Sequence, residues 1–104
     1  MIIQFNTDSN IDGSERLNVY FTNTISDSLE RFNSYITRIE VHISDENAQK
    51  KGKNDHRCMI EARLEGRQPI AVSENADTVE QALKGALDKL KASLDTVIGR
   101  LKDH

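Results

Sequence analysis

The sequence predicts an α+β fold in the order β-α-β-β-β-α, a four-stranded sheet with two helices packed on one face. Two patterns carry that prediction. Apolar residues alternate with polar ones over residues 37–44, 57–65 and again from residue 70, which is the period of strands with one buried face. Between and after them run two stripes with helical spacing, at residues 17–32 and 79–101, and a one-sided helix must lie on something.

Met1-Ile2-Ile3-Gln4-Phe5 reads as a short strand, and Asn6, Thr7, Asp8, Ser9 and Asn10 as a polar turn. Ile11 before Asp12, with Glu15 three positions on, matches a hydrophobic residue ahead of an N-cap and its capping glutamate; Ser14 is the alternative cap. The helix so begun would bury Leu17, Tyr20, Phe21, Thr24, Ile25, Leu29 and Phe32 and end at Asn33-Ser34. From Thr37 to Ser44, Ile39, Val41 and Ile43 share one face of a strand and Arg38, Glu40 and His42 the other. Residues 45–55 have no apolar period and are expected to form a long mobile loop. Cys58, Ile60, Ala62 and Leu64 then mark the buried side of the next strand. Gly66 suits a tight reversal, and after Pro69 the alternation restarts with Ile70 and Val72, so the two runs predict a hairpin. Thr78 stands before the last helix, whose stripe is Val79, Leu83, Ala86, Leu87, Leu90, Leu94, Val97, Ile98 and Leu101. On its opposite side Glu80, Lys84, Asp88, Lys91 and Asp95 form a solvated ladder of alternating sign, each pair stabilising the helix by roughly 0.2–0.5 kcal/mol.

The 104 residues suffice for one domain, 1–104, with a single core. With 37% hydrophobic and 30% charged residues the composition is that of a soluble globule, and no apolar run approaches the ~20 residues of a membrane span. The opening segment lacks the basic start and long apolar stretch of a secretory signal, so the expected location is the cytoplasm. The net charge of −3 argues against indiscriminate nucleic-acid binding, although a local basic patch can outweigh the total.

Catalytic and cofactor signals are absent from the sequence, and no small-molecule substrate is expected. Asp8, Asn10, Asp12 and Gly13 resemble the first half of a calcium loop, but Val19 stands where a bidentate glutamate is required and Arg16 where a further oxygen ligand belongs; a turn and helix cap explain the same residues. His42, His56 and His104 have no spacing that converges on a metal. Cys58, on the apolar side of its strand, reads as a small buried hydrophobe. What remains is binding. The wet sheet face mixes Arg38, His42, Arg57 and Arg63 with Glu40, Glu61 and Glu65, which cross-strand ion pairing accounts for. Lys50, Lys51 and Lys53 are a basic cluster on the long loop, and Lys89 and Arg100 flank the second helix's stripe, where their heads reach a backbone phosphate from beside the sheet.

The element order, the run Ala82-Leu83-Lys84-Gly85-Ala86-Leu87-Asp88-Lys89-Leu90, the opening Ile2-Ile3-Gln4-Phe5, Leu29-Glu30-Arg31-Phe32 and Ile39-Glu40-Val41-His42-Ile43 together resemble the ribosome hibernation promoting factor and ribosome-associated inhibitor family, also called sigma modulation proteins. The resemblance covers nearly the whole chain and is to the short form. It implies a stress or stationary-phase protein that sits on the small ribosomal subunit near the decoding region, blocks messenger and transfer RNA, and contacts rRNA backbone in the manner of the topologically related double-stranded RNA-binding domains. Carried over by position, the candidate contacts are Lys84, Lys89, Lys91, Arg100 and Lys102 on the second helix and Arg16 and Arg31 on the first. The alternative is a module of the same fold that has lost strong RNA affinity and binds a protein, or itself through a sheet edge.

Overall fold

The computed structural model describes residues 1–7, 15–45 and 56–102, in the order β1 (Ile2–Thr7), α1 (Glu15–Ser28), β2 (Ile36–Asp45), β3 (His56–Leu64), β4 (Ile70–Ala76) and α2 (Val79–Lys102). The strands form one sheet in the order β1-β2-β3-β4. β1 runs parallel to β2, as the intervening helix requires, while β2-β3 and β3-β4 are antiparallel. The expected topology is therefore the observed one.

Register explains which side chains go inside. Ile3 pairs with Ile39 and Phe5 with Val41, Val41 in turn with Ile60, and Ile60 with Val72, so one face is apolar across all four strands. Phe21, Ile25 and Leu29 of the first helical segment and Ala82, Leu83, Ala86, Leu87, Leu90, Leu94 and Ile98 of α2 close over that face as one core. Burying each large side chain contributes about 1.5–3 kcal/mol. Ile36 and Ile39 both point inward although three apart, because the ladder slips between Ile36 and Arg38. The odd residue, Thr37, donates its hydroxyl to the Arg63 carbonyl at 3.1 Å, which satisfies the bulge.

The hairpin turns at Gly66, whose φ of +71° is a conformation that side-chain-bearing residues rarely adopt. Thr78 caps α2, its hydroxyl accepting from the Gln81 backbone N–H at 3.1 Å.

Some expectations are corrected. β1 extends through Asn6 and Thr7, which pair with His42 and Ile43 instead of turning. α1 stops at Ser28, and residues 30–32 form a 3-10 turn whose i→i+3 bonds, Asn33 to Glu30 and Tyr35 to Phe32 among them, swing the chain into β2. Tyr20 is 56% exposed instead of belonging to the buried stripe, because Phe21, next to it, takes the core-facing position and stacks on Phe5. Ala82, left out of the α2 stripe, is wholly buried. Asp8, Asn10, Asp12 and Gly13, and residues 46–55 of the long loop, lie outside the described residues.

Candidate nucleic-acid interface

Steps of seven and eleven residues return a helix to nearly the same side, and this sorts the cations of α2 into two flanks. Lys84, Lys91 and Lys102 share one flank; Lys89 and Arg100 share another. The first flank borders a groove against α1, where Lys84 and Lys91 meet Tyr20 and Ser28. The second meets β4 at Lys89.

Several candidates are already engaged within the chain. The Lys89 ammonium donates to the Ser73 carbonyl at 2.9 Å and lies 3.4 Å from the Glu74 carboxylate, tying α2 to the edge strand. Gly85 makes that contact possible. A Cβ built at position 85 would come within 2.6 Å of the Glu74 Cγ, so the helix can approach β4 this closely only without a side chain there. The conspicuous Lys84-Gly85 and Asp88-Lys89 steps of the sequence therefore form, in part, a helix-to-sheet lock.

Arg31 makes a two-pronged pair with Asp95, at 2.6 and 3.0 Å, and lies 4.1 Å above the ring of its neighbour Phe32. The paired guanidinium holds the Asp95 carboxyl below its ordinary range, chiefly through the hydrogen bond. Asp95 thus leaves the α2 ladder to bridge between elements, whereas Lys91 stays within it, 3.7 Å from Asp88. Among the described residues Lys84 and Arg100 of α2 have no ion-pair partner, which leaves both available to an external phosphate. Arg16 and Lys102 fall on α1 and α2 by backbone position, and Lys50, Lys51 and Lys53 lie outside the described residues.

On the outer sheet face like charges stand opposite one another, Arg38 beside Arg63 and Glu40 beside Glu61. Neighbouring contacts relieve both: Arg63 reaches Glu61 along its own strand at 3.0 Å and Glu40 diagonally across at 3.3 Å, and Arg38 reaches Glu40 along β2 at 3.5 Å. Arg38, Glu40, Glu61 and Arg63 are thus mutually paired, as the mixed sequence suggested. Among the described residues no group of His, Cys, Asp and Glu is arranged to hold a metal, and no helix is long and apolar enough to cross a membrane.

A family profile described as Sigma 54 modulation protein / S30EA ribosomal protein matches residues 3–102. The chain belongs to that family. A search of curated protein sequences finds no match. Among solved structures this S30EA-family chain resembles the N-terminal domain of Protein Y from Thermus thermophilus, at TM-score 0.72 and 21% identity over 93% of this chain and 99% of that one. It also resembles a ribosomal subunit interface protein from Coxiella burnetii, at TM-score 0.71 and 19% identity over 95% and 99% of the two chains. At such identities these likenesses show a shared fold.

Cys58 is inward-facing and wholly buried, and desolvation pushes its thiol from 9.0 up to about 12. It is a packing residue of this S30EA fold. Thiol reagents at pH 8 are expected to leave the folded protein unlabelled and to modify Cys58 at once in denaturant; rapid labelling without denaturant would contradict its burial. Because the folded thiol titrates higher than the unfolded one, its contribution to stability is whole below pH 9.0 and is lost as pH rises toward about 12.

Proposed function

We propose that the chain is a ribosome-associated, translation-silencing hibernation factor, a single cytoplasmic domain over residues 1–104 that binds the small ribosomal subunit through rRNA backbone contacts and performs no chemistry. The observation that carries this reading is the family match, which spans the whole sheet and both helices. The name of the Coxiella burnetii neighbour, a ribosomal subunit interface protein, points the same way. Lys84 and Arg100, two α2 cations without an ion-pair partner among the described residues, are the leading phosphate contacts. Lys91, Lys102, Arg16 and the loop cluster Lys50, Lys51 and Lys53 supplement them, and Lys89 and Arg31 contribute by holding α2 in place.

The test is co-sedimentation with vacant small subunits and whole ribosomes across a salt series. Binding is expected to weaken steadily with salt. A Lys84→Glu, Arg100→Glu double variant should bind more weakly, with a salt slope shallower by about one for each phosphate that is no longer neutralised. Protein that stays in the supernatant at the lowest salt, with ribosomes in excess, would refute the reading. The internal pairing of Lys89, Arg31 and Lys91 favours a second reading, a protein-binding or self-associating module that works through a sheet edge. A specific protein partner, or a dimer in light scattering, with no dependence on RNA would support that one.

A further inference from the structure

Between α1 and α2 lies a groove of about 320 Å³, and its most exposed apolar wall is Tyr20. An aromatic ring with more than half of its surface in water keeps a face on which a flat ligand can stack. The neighbouring Phe21 fills the core position, and the Tyr20 ring leans on it at 5.5 Å, tilted by 57°, with more than half of its surface left open. Leu83 and Leu87 form the floor, while Glu80, Lys84, Asp88 and Lys91 alternate in sign along the α2 rim.

That combination selects its occupant. A phosphate track requires cations in succession, and here a carboxylate intervenes at each step. A nucleobase meets every feature: a flat face to stack on Tyr20, exocyclic amino groups to donate to a carboxylate such as Asp88, and a sugar-phosphate left outside within reach of Lys84, which has no ion-pair partner among the described residues.

We propose that the α1–α2 groove receives one unpaired, amino-bearing RNA base, stacked on Tyr20 and read by Asp88. This rests on the ribosome reading and deepens it: the chain takes hold of a splayed-out rRNA nucleotide in addition to the backbone.

The experiment uses two measurements. In ribosome co-sedimentation, Tyr20→Phe is expected to bind within about twofold of the unchanged protein, and Tyr20→Ala to bind about ten- to a hundredfold more weakly. The chain has two tyrosines and no tryptophan, so in a Tyr35→Phe variant Tyr20 is the sole fluorophore of its kind. Its emission is expected to be quenched by short single-stranded oligocytidylate and unaffected by an abasic oligoribonucleotide of equal length. If Tyr20→Ala, shown by circular dichroism to be folded, binds ribosomes as tightly as the unchanged protein, the proposal fails while the ribosome reading stands. If Tyr20→Ala weakens sedimentation but no oligonucleotide alters the emission, the groove holds a protein segment and the base assignment is wrong. Failure of the unchanged protein to sediment with ribosomes overturns both.

Discussion

Leu90→Ala is expected to lower the free energy of unfolding by about 2–5 kcal/mol, the range seen when a large buried aliphatic side chain is cut back and its cavity only partly collapses. Leu90 has no exposed surface and belongs to the continuous α2 stripe that faces the sheet. A domain of this size has roughly 5–15 kcal/mol in all, so the variant would lose a large share of its stability. Urea denaturation followed by circular dichroism measures it, as a fall in midpoint with an unchanged slope. A loss below about 1 kcal/mol would mean that α2 does not pack as described. The adjoining Lys89 is half-exposed, so two consecutive residues of one motif have different duties: one holds the helix down through the core, the other through the edge of β4.

The second large effect is a change of sign. Alanine in place of glycine inside a helix ordinarily stabilises by roughly 0.5–1 kcal/mol. At position 85 the new methyl would meet Glu74 at 2.6 Å, near the root of its side chain, where a simple swing of the carboxylate does not make room. Gly85→Ala is therefore expected to cost about 1–3 kcal/mol, the usual penalty of overpacking, and to weaken the Lys89–Glu74 contact. In a Glu74→Ala background the obstruction is gone, and the same substitution should stabilise by about 0.5–1 kcal/mol. A double-mutant cycle from urea midpoints reads the coupling directly. Additive effects of the two substitutions would show that the close approach of α2 to β4 is unimportant.

The framework was legible in the sequence because period reports burial. Cys58, Ile60, Ala62 and Leu64 alternate and are all buried, and the α2 spacing placed Leu83 through Ile98 on the sheet. Gly66 announced the reversal through its local chemistry. The site was less legible, since its decisive contacts join residues with no periodic relation. Arg31 and Asp95 are 64 positions apart, and nothing local distinguishes this arginine, tied down by an aspartate, from an arginine free to hold a phosphate. Lys89 likewise has partners on β4 that no local signal in α2 reveals. Tyr20 matched the apolar stripe of α1 but stands beside the true seam, and the difference is only the 100° between adjacent helical residues. Residue type gives the available chemistry; tertiary placement decides which groups are left over for a partner.

The parallel pairing of β1 with β2 has a consequence for biosynthesis. The other three strands are joined in simple succession, so each can pair with its predecessor as the chain lengthens. β1 is made before the other three strands, yet among the described residues its one sheet neighbour is β2, and it has to wait for α1 and the following turn to be made before it finds that strand. During the interval Ile3 and Phe5 have no sheet to cover them. The growing chain thus leaves β1 uncovered for longer than the other strands, and a delay placed between α1 and β2 would lengthen that exposure more than the same delay anywhere later.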